Sequence, residues 1–436
     1  MSILKPPLRH YGLSIIAIYK KQLGEKNTNQ EQAVVSWGIF LATLAILLIT
    51  LTAVIFPALL IRTIGGFENY ANVNAFETGV CGYPLVITNF VIFGIVILYL
   101  KNRLPQLVIK SIRFIFNFEI SAKIAFIVVA VLLGIYTSFT VGELSTEEPW
   151  EDYHLAKEYI ENWTINEVSK GVGSSVKYFL LSTSFNVFGN TKVIPFIASI
   201  SLLVLTYFIT AEISKKRFSG IVAMIIVLQS SIFLTYDTSV AYENFWILLY
   251  LLSLYMVYKK WPLSPVSYIL SILSKTLTAA FFPMTLFFIY RSNISRQKKI
   301  GVTISYGIII VLMGIGFFVF EGDKLFGGVR DFNSHDFWVG FNAVSLGLRF
   351  DGLVLVLLLP LTVGLFIASR KGIAHGDSIM VLIMGMLLVP ALLTSFTYMT
   401  NQPYRFISLI VFFAIGIGTI LSKNINEQTL LLSTKQ

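Results

Sequence analysis

The chain has 436 residues, 56% of them hydrophobic and 13% charged, with a mean hydropathy of +0.76 and a net charge of +10. Soluble domains carry about 25% charged residues, so these values exclude a soluble globular domain and indicate an all-α, polytopic membrane protein. The positive charge does not point to nucleic acid, because Lys and Arg sit in short clusters between apolar runs, as in loops facing an anionic inner leaflet.

Met1 to Gln32 is polar and basic and lacks the short apolar core of a cleavable signal. Within it, residues 8–19 (LRHYGLSIIAIY) can form an interfacial amphipathic helix. Apolar runs predict spans at about 36–61, 84–100, 121–141, 191–212, 219–236, 242–258, 264–275, 277–290, 301–320, 352–369, 378–397 and 405–422. A span needs ~20 apolar residues, so the pair between Ser264 and Tyr290 is short, and one long broken helix is the alternative. With the N-terminus inside, the inner loops hold Lys101, Arg103, Lys110 and Arg113; Lys215, Lys216 and Arg217; Lys259 and Lys260; Arg291, Arg296, Lys298 and Lys299; Arg370 and Lys371. This positive-inside pattern requires two crossings between 264 and 290 and predicts about twelve spans in the cell membrane, with both termini cytoplasmic. Trp37 and Trp261 fit interfacial anchors. The single cysteine, Cys81, excludes an intrachain disulfide and a CxxC site.

Between the spans ending near 141 and starting near 191 lies an acidic outer stretch with Glu143, Glu147, Glu148, Glu151, Asp152, Glu158, Glu161 and Glu167. Its Trp150, Trp163 and several Tyr are residues that disordered linkers tend to lack, and long loops of this kind are usually functional or disordered. The stretch is expected to carry short amphipathic helices. Asn162-Trp163-Thr164 within it is a glycosylation sequon, a weak signal.

Four places can carry chemistry. Glu151-Asp152-Tyr153-His154 puts adjacent carboxylates at a membrane edge, where they can act as a general base or hold a divalent cation, or form a solvated acidic face. If this segment is helical, Glu151 and Asp152 diverge by about 100°. Asp152, Leu155, Tyr159 and Trp163 then share one face, whereas Glu151, Glu158 and Glu161 lie nearer the other, which favours Asp152 as the base. Lys275, in the apolar ILSKTLTAAFFPM, either snorkels to the surface or meets an anion. Arg405, in TNQPYRF, either anchors the last span at the interface or offers its fork to a phosphate. Glu243, in TSVAYENFWILL, is either a second acid or a charge at a helix start. Arg330, Asp331, His335, Asp336 and Arg349, in the mixed 321–351 loop, are secondary candidates.

From about Ile120 to Leu421 the chain resembles the GT-C superfamily of integral-membrane glycosyltransferases, which includes protein O-mannosyltransferases and the aminoarabinose transferases that modify lipid A. Glu151-Asp152-Tyr153-His154 stands where that family has an acidic pair followed by an aromatic residue or His; FNVFG at 185–189 resembles its turn before the next span; SILSKTLTAAFFP resembles its helix with an embedded Lys and a later Pro; and Tyr404-Arg405-Phe406 resembles its late RY or RF. The chain departs from the pattern in three ways. The acidic pair is Glu-Asp, a Gly171-Val172-Gly173 segment replaces a proline-rich one, and two spans precede the family's first helix with no soluble C-terminal domain after its last.

The resemblance implies three regions: 1–119 with two extra helices, a transferase module at 120–422, and a cytoplasmic tail at 423–436. It also implies a polyprenyl-phosphate-linked sugar donor and a protein, lipid or glycan acceptor. Asp152 or Glu151 would take the acceptor proton, with the family's preference for the first acid favouring Glu151. Lys275 and Arg405 would bind the donor phosphate, with Tyr153, His154 and Glu243 near the substrate. No cofactor is required, although a divalent cation can be accommodated. Membrane lipid is a partner and nucleic acid is not. Two other classes fit the same residues: a transporter of an anionic lipid or solute, and a non-catalytic subunit whose acidic loop is a docking surface.

Overall fold

The computed structural model describes residues 33–63, 74–101, 103–162, 174–319, 330–373, 375–397 and 402–422. The candidate interfacial segment 8–19, Trp163 and Thr164 of the sequon, Gly171-Val172-Gly173 and the C-terminal tail lie outside these residues. The described residues are helical, without a strand. In chain order, with the short helix Pro57–Thr63 left unnumbered, the helices are α1 (Ala33–Ile55), α2 (Gly82–Leu100), α3 (Gln106–Asn117), α4 (Ala122–Thr140), α5 (Glu151–Asn162), α6 (Ser175–Phe188), α7 (Val193–Ser214), α8 (Arg217–Leu228) and α9 (Ser231–Tyr236). They continue with α10 (Phe245–Lys259), α11 (Leu263–Ser274), α12 (Phe282–Arg291), α13 (Arg296–Val319), α14 (Ser334–Leu348), α15 (Gly352–Arg370), α16 (His375–Phe396) and α17 (Ile407–Ile420).

Among the described residues, seven helices are long and apolar enough to cross a membrane: α1, α2, α4, α7, α15, α16, and α17 with the turn before it. The protein is therefore built as a multi-pass membrane protein. The expected count of about twelve is not reached on these criteria: of the five remaining expected spans, 301–320 falls within α13 (Arg296–Val319), which is not among the seven, and for the other four the reason is local. The apolar runs from Arg217 to Arg291 fold as shorter pieces, α8, α10, α11 and Thr276–Arg291, below the ~20 residues of a full span. The expected span 219–236 breaks at Gln229-Ser230, because the Ser230 hydroxyl caps a new helix by accepting from the Phe233 amide at 3.2 Å. The run 264–290 breaks at Lys275, after which a 3₁₀ turn, Thr276–Phe281, leads into α12 with Pro283 in its first turn. The sequence also hides two helices in segments expected to be loops, the exposed amphipathic α3 and the partly buried α14.

Helix α17 is almost wholly buried and forms the centre of the bundle, packed by α7, α8, α15 and α16. Close backbone approach makes this possible: a Cβ on Gly418 would lie 2.9 Å from the Ser219 carbonyl oxygen and closer still to Thr210. Small residues at such crossings are how helices pack where lipid removes the hydrophobic drive between them.

The basic clusters gather at one end. Lys215 and Lys259 both pair with Glu212, at 2.7 and 2.6 Å, and Lys216 Nζ donates to the Phe116 carbonyl at 2.7 Å. Tyr258 bonds the His375 ring at 3.2 Å. Nearby, the buried Asp377 accepts from Ser36 at 2.7 Å and Ser369 at 2.5 Å and is paired with Arg291. That cluster clasps α1 to the bundle. The acidic stretch and the break at Lys275 lie at the other end.

Candidate functional site

The acidic stretch is helical where it matters. Pro149-Trp150 leads into α5, whose first turn carries Glu151 and Asp152, where carboxylates complement the helix dipole. Tyr153, Ala156 and Ile160 are buried in a small core with Leu181, Ala198, Val240 and Phe245. The rotation of the helix follows. Asp152, Leu155 and Tyr159 turn to an adjoining cavity, while Glu151, Glu158 and Glu161 face outwards.

A clasp between this stretch and the segment joining α9 to α10 fixes that geometry. Buried Glu148 accepts from the Val240 amide at 2.6 Å and from the Ser239 hydroxyl at 2.8 Å. Glu143 accepts from Thr238 at 3.2 Å, and Lys192 Nζ donates to the carbonyls of Thr146 at 2.6 Å and Glu143 at 3.2 Å. Burial holds the Lys192 ammonium below the usual lysine value against the pull of Glu148 and Glu143. Asp237 lies at the back of the clasp beside Thr140 and Tyr136. Burial pushes its pKa up to about 7, and the charge of Glu143 adds to the rise.

The cavity has a volume of about 680 Å³. It brings together four residues singled out from the sequence, Asp152, Glu243, Lys275 and Arg405, with Lys177, Tyr242 and Tyr404 beside them. Tyr242 donates its hydroxyl to Asp152 Oδ2 at 2.8 Å. Burial and the Asp152 carboxylate hold the Tyr242 phenol well above its usual value, so it stays a donor. The Tyr242 ring stacks on Tyr404, with centroids 4.7 Å apart and planes 20° apart. Lys275 Nζ donates to the Tyr404 hydroxyl at 2.6 Å and lies 3.9 Å from its ring centroid. Arg405 follows Tyr404 in the 3₁₀ turn Pro403–Phe406 that opens α17. Its Nε is buried and has no hydrogen-bond partner among the described residues.

Lys177 on α6 pairs with the buried Glu243 carboxylate at 2.9 Å and donates to the Ala241 carbonyl at 2.8 Å. Burial works against the Lys177 ammonium, yet Glu243 holds it above the usual lysine value. That pair cancels its own charge, which leaves Lys275 and Arg405 as a cationic wall and Asp152 as the carboxylate across the aromatic pair.

Other sequence candidates lie elsewhere. Glu151 and His154 are exposed, and Tyr153 is buried in the small core, so none of the three lines the cavity. Arg330 pairs with Asp336 and donates to the Thr394 carbonyl at 2.9 Å. It thereby braces the end of α16, whose Leu393 and Phe396 line the cavity with Thr397 just after it. Arg349 donates to the Ala53 carbonyl at 3.3 Å, and Asp331 and His335 do not line the cavity. Among the described residues no group of three or more His, Cys, Asp or Glu is placed to hold a metal ion. Sequence reasoning missed Lys177 and Tyr242 as site residues. The signal for Lys177 was available, because a lone Lys in VKYFLL is as costly as Lys275 and implies a partner. Nothing local marks Tyr242.

No protein-family model, no curated protein and no solved structure matches this chain.

Proposed function

We propose that this protein is a membrane glycosyltransferase of the GT-C kind, moving a sugar from a polyprenyl-phosphate donor to an acceptor hydroxyl at the end of the bundle opposite the basic loops. The observation that carries the reading is one cavity lined by a carboxylate and two basic side chains with separate partners: Asp152 bonds Tyr242, Lys275 bonds Tyr404, and the buried Arg405 Nε has no partner among the described residues. Such a reaction needs positioning, a base and a clamp for the leaving phosphate. Asp152 takes the acceptor proton through Oδ1, while Oδ2 is held by Tyr242. Lys275 and Arg405 bind the donor phosphate and stabilise the charge it gains as the glycosidic bond breaks. Direct attack inverts the anomeric carbon. No metal is assigned a role.

The test is donor turnover by the purified protein with labelled polyprenyl-phosphate sugars. Asp152→Asn is expected to lower turnover by roughly 10²–10⁴ with donor binding intact, and Glu151→Gln to do much less. Loss of activity in Glu151→Gln alone would reverse the assignment, and full activity in both would refute a catalytic role for α5. A second reading, a carrier for an anionic lipid or solute, is favoured by the helix break at Lys275, since broken helices line transport paths. Donor uptake without turnover would select it.

A further inference from the structure

Helix α3 takes no part in the cavity, yet among the described residues it presents an exposed surface with no packing partner. Gln106, Lys110, Arg113 and Asn117 recur at the spacing of one helical stripe. On the opposite face Val108 and Ile115 are 38% and 46% exposed, on the flank between that face and the stripe Leu107 and Phe114 are 78% and 65% exposed, and no residue of the helix is buried. Its third edge, with Ile109, Ile112 and Phe116, is half-buried towards the bundle. The C-terminal end is pinned to the basic end of the protein: Lys216 Nζ bonds the Phe116 carbonyl at 2.7 Å, the Arg217 amide donates to Glu119 at 3.1 Å, and Phe118 packs edge-on against Phe218 at 4.9 Å.

The chain itself says what covers this face. Helix α3 runs between α2 and α4, both candidate membrane spans. The connections are residues 101–105 and 118–121, which at ~3.3–3.6 Å per residue cannot carry the helix far from the bilayer. The segment 101–123 carries the exposed Lys101, Arg103, Lys110, Arg113 and Lys123 and one acid, Glu119. Apolar residues on one side, a basic stripe on the other and spans at both ends match a helix lying in a membrane interface. The excess of positive charge matches an anionic leaflet.

We propose that helix α3 lies flat in the membrane interface, with Val108 and Ile115 sunk among acyl chains and Lys110 and Arg113 among the phosphates of anionic lipid headgroups. The full chain, with Cys81→Ser and a single labelled cysteine at Ile115→Cys or Asn117→Cys, is reconstituted in bilayers of phosphatidylcholine with or without phosphatidylglycerol. The Ile115→Cys probe should be quenched by lipids brominated on their acyl chains, and the Asn117→Cys probe by aqueous iodide instead. Quenching at 115 should be stronger when bromine is on phosphatidylglycerol than on phosphatidylcholine. The double substitution Lys110→Gln and Arg113→Gln should cut that preference by about fivefold for each charge removed. A probe at 115 reached by iodide but not bromine would overturn the proposal, as would one shielded from both, the result expected if another protein covers the face. The depth measurement keeps both native charges, so it decides the placement even if the double variant folds poorly. A lipid preference unchanged in a folded double variant would overturn the headgroup assignment.

Discussion

Tyr242→Phe tests the site most sharply, because it removes one atom and keeps the stack. The lost contact is a single O–H donor to Asp152 Oδ2 at 2.8 Å. Hydrogen bonds to charged groups contribute roughly 1.5–3 kcal/mol net, and the exposure of Asp152 places this one near the lower bound. An effect of about 1.5 kcal/mol is about tenfold. If the bond holds the carboxylate towards the acceptor, turnover should fall by about tenfold while donor affinity stays put, since Lys275 and Arg405 are untouched. Tyr242→Ala should do more, because it also removes stacking on Tyr404, worth about 0.5–1.5 kcal/mol, and with it the support of the residue that Lys275 bonds. Donor turnover over a range of acceptor concentrations, with donor binding measured separately, distinguishes the effects. Undiminished turnover in Tyr242→Phe, where Asp152→Asn is inactive, would refute the orienting role of Tyr242.

Three further outcomes are expected. Arg405→Lys keeps the charge but loses the planar fork and should weaken donor binding, with Arg405→Ala weakening it further, by about 2–5 kcal/mol; unchanged affinity in a binding assay would leave Arg405 as an interfacial anchor. Burial holds the Asp237 pKa near 7, so the folded protein binds that proton more tightly than the unfolded chain, and this contribution to stability is lost as pH rises from about 4 to about 7. Asp237→Asn should therefore flatten the pH dependence of thermal unfolding across that window and raise Tm above it; an unaltered profile would refute the assignment. Gly418→Ala places a methyl against Ser219 and Thr210 and should destabilise the bundle by about 1–3 kcal/mol, read as a lower Tm in detergent.

Composition and long apolar runs carried the membrane architecture, and the seven long helices start or end within a few residues of the runs that predicted them. Hydropathy failed where polar residues inside a run cap a new helix, as Ser230 does, or where a break serves a site, as at Lys275. It also failed for α3, whose alternation of apolar and basic residues averages to a loop-like value although its periodicity is helical. At the site, helical spacing alone separated Asp152 from Glu151, because the buried face of α5 leaves the carboxylates only one rotation. The Glu148 clasp was not legible, since eight acids in one stretch give no sign of which is buried. Its partners, the Ser239 hydroxyl and the Val240 amide, lie about ninety residues away.

The arrangement of charge bears on why the cavity contains stacked tyrosines. Opposite charges that meet in a confined site neutralise one another, and Lys177 and Glu243 do so within the same wall. Asp152 and Lys275 face that cavity too, yet each bonds a different phenol. Asp152 accepts from Tyr242, and Lys275 donates to Tyr404. The two rings are stacked 4.7 Å apart and link the two hydrogen bonds. Each phenol bonds its own partner through a hydroxyl rather than an opposite charge; under the proposed function this leaves the carboxylate an oxygen for a proton and the basic side chains an attraction for an anion. A simple salt bridge in this place would be cheaper to build but would leave neither a base nor a clamp. Separation at the expense of a direct ion pair is what the proposed transfer between a phosphate and a hydroxyl would require.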